Sequence, residues 1–444
     1  MSRLDALLAG LLSAGLAAGR IPFARLGVDL HHDGIMLKPA LDVLSGQVLF
    51  RDTFMQYGAL SCYLQVAALW LHPSLLAVRL LIVAAYAVTL FFLYAAWRLV
   101  LPRSLTVLSC GLLILFIPLG SFGRVFVHPV AGAWLLLLLL AAAAPGLVKR
   151  FGRDIPPRGM LAYYLCLIAV LAWQHDRVLP ILALRECGWT AALPLLVLLP
   201  AVISVAVAAT NRARPKSLEY YSIAALAALS LGSLLQYYPV PDSWHILWSL
   251  APAFGLFTYV FWRWAGWPIP VVAVVLSAAF LPAIKLKIQS ATQCLGRPLV
   301  TLTAPSVLRG MRVAPEQARS IGRIVAALQP VLQVAPDLPS ALVGDDALYL
   351  CFTRNHTNPS PYFVTWRGLA DNAQNQIRWD NIQRTRPLIF LLNARWEAVD
   401  DFYQRAHYVP LLSARAEALE IAIPQEVADA MQHPPAGPAP AGPP

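Results

Sequence analysis

Apolar runs long enough to cross a bilayer alternate with short polar breaks over the first 285 residues. The hydrocarbon layer takes about 17–25 residues of helix. Such runs fall near 4–20, 74–97, 104–120, 127–147, 159–174, 188–209, 218–235, 247–264 and 267–284. The pattern predicts about nine transmembrane helices. The stretch 59–72, ALSCYLQVAALWLH, is shorter and carries Gln65. It reads as an amphipathic helix lying on the membrane surface. The run from Leu4 to Gly19 has the small residues of a cleavable signal, but a chain with many spans needs no separate export signal, so it reads as a retained first span.

From Lys285 the pattern changes. PEQARSIGRIVAALQPVL has apolar residues at helical spacing, while SALVGDDALYLCF and RPLIFLLN read as short strands between turn residues. Helices alternating with strands predict a small α/β domain. The end of the chain, HPPAGPAPAGPP, has too few large apolar groups to fold. The expected fold is therefore a polytopic α-helical membrane protein with a small C-terminal α/β extracytoplasmic domain. A transmembrane part, 1–285, contains a first outward loop, 21–73. The α/β domain covers 286–425, and 426–444 is a disordered Pro/Ala/Gly tail.

Charge sets the orientation. Arg98 and Arg103 follow the second run, Lys149 to Arg158 the fourth, Arg212 to Lys216 the sixth and Arg263 the eighth. These loops share one side with Arg3, and excess Lys and Arg mark the cytoplasmic side. The intervening loops and the α/β domain then face outward. Composition agrees: 58% of the 444 residues are hydrophobic and 13% charged, with a mean hydropathy of +0.61. An ordinary soluble domain carries about 25% charged residues. The net charge of +11 reflects inner loops rather than a nucleic-acid surface, since no long basic stretch is interleaved with aromatics. Six scattered cysteines offer no metal-type spacing. Cys294 and Cys351 could pair in an oxidising compartment.

The first outward loop concentrates the titratable groups. DLHHDGIMLKPALDVLSGQVLFRDTFMQYG holds Asp29, His31, His32, Asp33, Lys38, Arg51 and Asp52. On a helix, Asp29 and Asp33 would share a face. A carboxylate at a membrane interface can serve as a general base for a substrate arriving through the bilayer. Other outward loops repeat the theme, with Arg124 and His128 in GRVFVHP, His175, Asp176 and Arg177 in WQHDR, and Asp242 and His245 in PVPDSWH. Each set lies at the outer end of an expected span, so several loops can converge on one polar pocket. The plain alternative is that Asp29 and Asp33 cap helices and Asp52 pairs with a neighbouring base.

Asp33-Gly34, Gly46, Phe50-Arg51-Asp52 and Tyr57-Gly58-Ala59-Leu60 resemble the first outward loop of GT-C fold membrane glycosyltransferases. The likeness is to the branch of the protein mannosyltransferases and aminoarabinose transferases. PVPDSWHILW resembles a later outward loop of those proteins. The resemblance implies a polyprenyl-phosphate sugar donor and a glycan, lipid or protein acceptor. It implies an integral protein of a bacterial inner membrane, with the C-terminal domain periplasmic or extracellular, serving cell-envelope polysaccharide. It further implies Asp33 as first and Asp52 as second catalytic residue, with Lys38, Arg124, Arg177 and His245 toward the donor phosphate. Gly34 stands where many such proteins have a second acid, and a divalent metal ion is left open. The alternatives are a polysaccharide polymerase or ligase, and a transporter. The transporter is disfavoured because the charges sit at span ends and no internal repeat is evident.

Overall fold

The computed structural model describes residues 1–55, 59–116, 201–202, 218–233, 253–264, 266–358, 380–392, 406–414 and 419–433. The expected runs 127–147 and 159–174, and most of 188–209, lie outside them. The chain divides into two units. One holds 1–20, 84–119 and 130–292; the other holds 21–83, 120–129 and 293–444. Sequence patterning grouped the first loop with the apolar helices, whereas here residues 21–83 group with the C-terminal region.

The described part of the first unit is helical. It contains most of α1 (Arg3–Ala24), the second half of α4 (Leu75–Trp97), α5 (Arg103–Phe116), α6 (Leu218–Ser233) and most of α7 (Ile269–Leu295). Its core gathers Leu93, Tyr94, Trp97, Leu105, Leu226, Phe254 and Tyr259. Among the described residues, α1 and α4 are long and apolar enough to cross a membrane. The inward stripe of α1 is Asp5, Ala9, Ser13, Leu16 and Arg20, while Leu4, Leu7 and Leu11 face out. Asp5 is satisfied inside, accepting bonds from Arg98 Nε at 3.0 Å and Arg103 Nε at 2.9 Å. The Arg20 guanidinium lies 5.0 Å over the Tyr86 ring.

The second unit mixes helix and sheet. Here α2 (His32–Leu44) and α3 (Ala59–Leu71) pack together, and α2 also packs on a 3-10 turn, Ala347–Phe352. One strand pair joins β1 (Val300–Thr301) to β2 (Arg312–Val313). A four-stranded sheet has the order β3 (Ser340–Val343), β4 (Leu388–Leu392), β6 (Leu419–Pro424), β5 (Tyr408–Ala414). The β3–β4 pair is parallel and the other pairs are antiparallel. Pro410 is accommodated because β5 is an edge strand with a register shift between Pro410 and Leu412. The helix expected over PEQARSIGRIVAALQPVL is α8 (Pro315–Val334), which buries Ile321, Ile324, Leu328 and Val331 at helical spacing. A final helix, α9 (Gln425–Gln432), follows β6. Cys351 is a buried free thiol.

The helix α3 has an inverted polarity. Ser61, Cys62 and Gln65 are buried beside Ala68 and Leu69, whereas Leu60, Tyr63, Trp70 and Leu71 are exposed, the last two at 75% and 78%. In water a surface helix turns its apolar stripe toward the core.

Candidate functional site

The N-terminus of α2 organises the charged loop. Asp29 precedes the helix, and its Oδ1 accepts the backbone N–H groups of His31 at 3.1 Å and His32 at 3.0 Å. Asp33, inside the first turn, accepts the Asp29 N–H on Oδ2 at 2.8 Å. The two carboxylates thus bracket the helix start reciprocally, where unpaired N–H groups and the helix dipole favour negative charge. They do not share a helix face, because the chain becomes helical only at His32.

Two buried ion pairs lie below this bracket. Arg79 of α4 donates Nη2 to Asp33 Oδ2 at 2.5 Å, with both side chains almost fully excluded from solvent. Its Nη1 donates to the carbonyls of Leu26 and Gly27, each at 3.0 Å, and Ala24 at 3.2 Å. One turn along α2 from Lys38, Asp42 pairs with the Lys38 ammonium. Lys38 also donates to Asn358 Oδ1 and the His356 carbonyl, and Asp42 Oδ2 accepts from Thr53 Oγ1 at 2.7 Å and Asn358 Nδ2 at 2.6 Å. Among the described residues the Lys38 ammonium thus donates to Asp42, Asn358 and the His356 carbonyl. To hold a donor phosphate, Lys38 would have to give one of them up. Burial, and next the Lys38 charge, push His356 down to about 4, so its ring stays neutral.

A more open layer faces outward. His32 Nδ1 lies 3.2 Å from Asp29 Oδ2, with the His32 side chain 44% exposed. The His31 Nδ1 lies 2.6 Å from the Asp345 carbonyl oxygen. The His31 and His32 rings meet edge to face with centroids 4.7 Å apart. A ring nitrogen of His31 and carboxylate oxygens of Asp345 and Asp346 lie within 4.8 Å of one another, close enough to share a divalent cation. Burial, and next the neighbouring Asp345 charge, raise the Asp346 carboxyl above its ordinary value.

Asp52 lies at the loop's far end. It accepts from Arg51 Nε and Nη2 at 2.8 Å each and from the Val48 N–H at 2.8 Å. The Arg51 bond, followed by the Val48 bond, holds it down to about 2. Both of its oxygens are engaged, so it anchors the turn. Arg51 is exposed.

Of the expected site residues, Asp29, His31, His32, Asp33 and Lys38 come together around α2, and Arg51 with Asp52 forms a separate corner of the same loop. Arg124, His128, His175, Asp176, Arg177, Asp242 and His245 lie outside the described residues. Sequence reasoning missed Arg79, Asp42, Asp345, Asp346 and Asn358. Arg79 carried a signal, being the only charge in α4, and a lone charge in an apolar span marks a buried partner. Asp42 carried another, four residues after Lys38. No family model, no curated protein and no solved structure matches the chain.

Proposed function

We propose that the chain is a membrane glycosyltransferase of GT-C type. It transfers a sugar from a polyprenyl-phosphate donor to a hydroxyl acceptor at the outer face of a bacterial inner membrane. The single observation carrying the site assignment is the anchoring of Asp33. Arg79 and the Asp29 N–H fix its Oδ2, while Oδ1 has no hydrogen bond among the described residues. In the reaction, Asp33 Oδ1 takes the proton of the acceptor hydroxyl as its oxygen attacks the anomeric carbon. The bond to the phosphate oxygen breaks, the polyprenyl phosphate leaves with the electron pair, and the sugar carbon inverts. Arg79 is a positioning residue, holding the carboxylate by its other oxygen. A divalent cation at His31, Asp345 and Asp346 would add positive charge for a donor phosphate.

The membrane reading is supported by the inverted polarity of α1 and α3. Leucines and a tryptophan face out while Asp5, Ser13, Arg20, Ser61 and Gln65 face in. Ionisable groups within a membrane turn toward the protein interior and pair there. The test is transfer of labelled sugar from a polyprenyl-phosphate donor in membranes carrying wild type or Asp33→Asn. We expect the variant to bind donor and to lose transfer by about a hundredfold or more, the scale of a missing general base. Unchanged transfer by a folded Asp33→Asn protein sinks the assignment.

A further inference from the structure

A second feature of the same unit does not belong to the charged loop. A hollow of about 360 Å³ is lined by Ile21, Pro22, Leu26, Leu80, Leu295 and Leu299, with Arg25 and Arg312 at its polar side. Ile21, Leu80 and Leu295 are exposed, so the hollow opens outward through apolar side chains. No acid lines it. The two arginines are brought together by backbone pairing. The Arg312 N–H donates to the Arg25 carbonyl at 2.7 Å, and the Gly27 N–H donates to the Arg312 carbonyl at 2.8 Å. Both side chains are exposed, and neither guanidinium has a hydrogen bond or ion pair among the described residues.

We propose that this hollow seats an anionic bilayer phospholipid, with an acyl chain against the leucines and its phosphate between Arg25 and Arg312. The chemistry of the lining selects this occupant. An apolar concavity favours a hydrocarbon chain, and two planar guanidinium forks match a phosphate. A headgroup with no cation of its own brings a net negative charge to the two arginines, whereas a choline headgroup is neutral overall and brings none. Its position supports a lipid source, because Ile21 and Leu80 belong to α1 and α4, which among the described residues are the helices long and apolar enough to cross a membrane. The inference rests on the membrane reading and is independent of the catalytic role of Asp33.

The test uses the full chain, extracted from membranes and delipidated, with lipid retention read by native mass spectrometry. Phosphatidylglycerol, phosphatidylcholine of identical chains and a polyprenyl phosphate are the probes, with inorganic phosphate as competitor. We expect one phosphatidylglycerol retained about tenfold or more over phosphatidylcholine, no displacement by inorganic phosphate, and loss of the preference in Arg25→Gln/Arg312→Gln. The pair Arg309→Gln/Arg319→Gln removes equal charge from exposed arginines outside the hollow and should keep the preference. Equal retention of the two lipids, or an unaltered preference in the first pair, overturns the proposal. Displacement by inorganic phosphate would reassign the site to a free anion, and stronger retention of a polyprenyl phosphate would reassign it to the donor path; either outcome also overturns it. Alkaline carbonate extraction separates the two failures. A chain released without detergent removes the membrane reading itself, whereas an embedded chain indifferent to lipid charge removes only this inference.

Discussion

Arg79 Nη2 lies 2.5 Å from Asp33 Oδ2, joining two residues 46 positions apart in the chain. Each is the other's counter-ion in a place without water, at 0% and 4% exposure. Removing one partner of such a pair leaves a buried charge, which costs about 3–5 kcal/mol, whereas removing both is often close to neutral. Arg79→Met should therefore lower the thermal midpoint of the chain sharply. Adding Asp33→Asn should restore part of the loss. An Arg79→Met protein that melts with the wild type would show that the pair does not hold α2 to α4.

Gly34 is the next residue, inside the first turn of α2. A Cβ there would lie 2.0 Å from the Leu348 backbone nitrogen and 2.5 Å from the Ala347 carbonyl carbon. Backbone cannot swing aside as a long side chain can, and the Leu348 N–H is tied to the Leu30 carbonyl at 3.0 Å. Two effects compete in Gly34→Ala. Helix propensity favours alanine by about 1 kcal/mol, while forcing backbone apart in a packed region costs about 1–3 kcal/mol or more. At contacts this close the clash wins. The variant should melt below the wild type, and a raised midpoint would contradict the packing of α2 on the 347–352 turn.

Much of this arrangement could be read from the sequence, and the failures have identifiable causes. The charged loop stood out because titratable groups are rare elsewhere in an apolar chain. The apolar spacing of 315–334 marked α8, and short runs of buried residues marked β3 and β4. The segment ALYLCF was read with its neighbours as strand, yet it is a 3-10 turn. Gly344, at φ 145°, breaks the extended path, and all six residues from Ala347 to Phe352 are buried, leaving no alternation to betray the geometry. Lys38 was read as a ligand for phosphate because its acceptors could not be foreseen. Asp42 lies one turn away, but Asn358 and the His356 carbonyl come from some 320 residues downstream. Local pattern marks which residues are unusual; only tertiary contact reveals which of them already have partners.

Asp345 and Asp346 repel each other beside His31, and the like charge contributes to the raised Asp346 carboxyl. A carboxyl whose folded-state value is raised costs stability when ionised, and that cost is relieved as pH falls through the raised value. At neutral pH without divalent cations, Asp346→Asn should therefore raise the thermal midpoint. If the three groups chelate, millimolar manganese or magnesium should raise the midpoint of the wild type and leave Asp346→Asn where it was. Equal cation responses in the two proteins would exclude this cluster as the binding site.

His356 supplies the pH dependence. Its Nδ1 is buried with no partner among the described residues, and burial beside Lys38 lowers its value to about 4. The unfolded chain takes up a proton near 6.5. Between those values the unfolded state binds more protons than the folded one, so stability is fully present above about 6.5 and declines as pH falls toward 4. The gap corresponds to a loss on the order of 3 kcal/mol. Asp52 acts in a separate window, since its lowered value removes stability only between its ordinary value of 3.8 and about 2. Asp346 has the opposite sign and persists in every variant that keeps it, so the difference between wild type and His356→Gln isolates the histidine. Thermal midpoints at half-unit steps from pH 7.5 to 4 should fall more steeply for the wild type than for His356→Gln. Parallel curves would mean that the ring is solvated, and that Lys38 and Asp42 are not sealed beneath it.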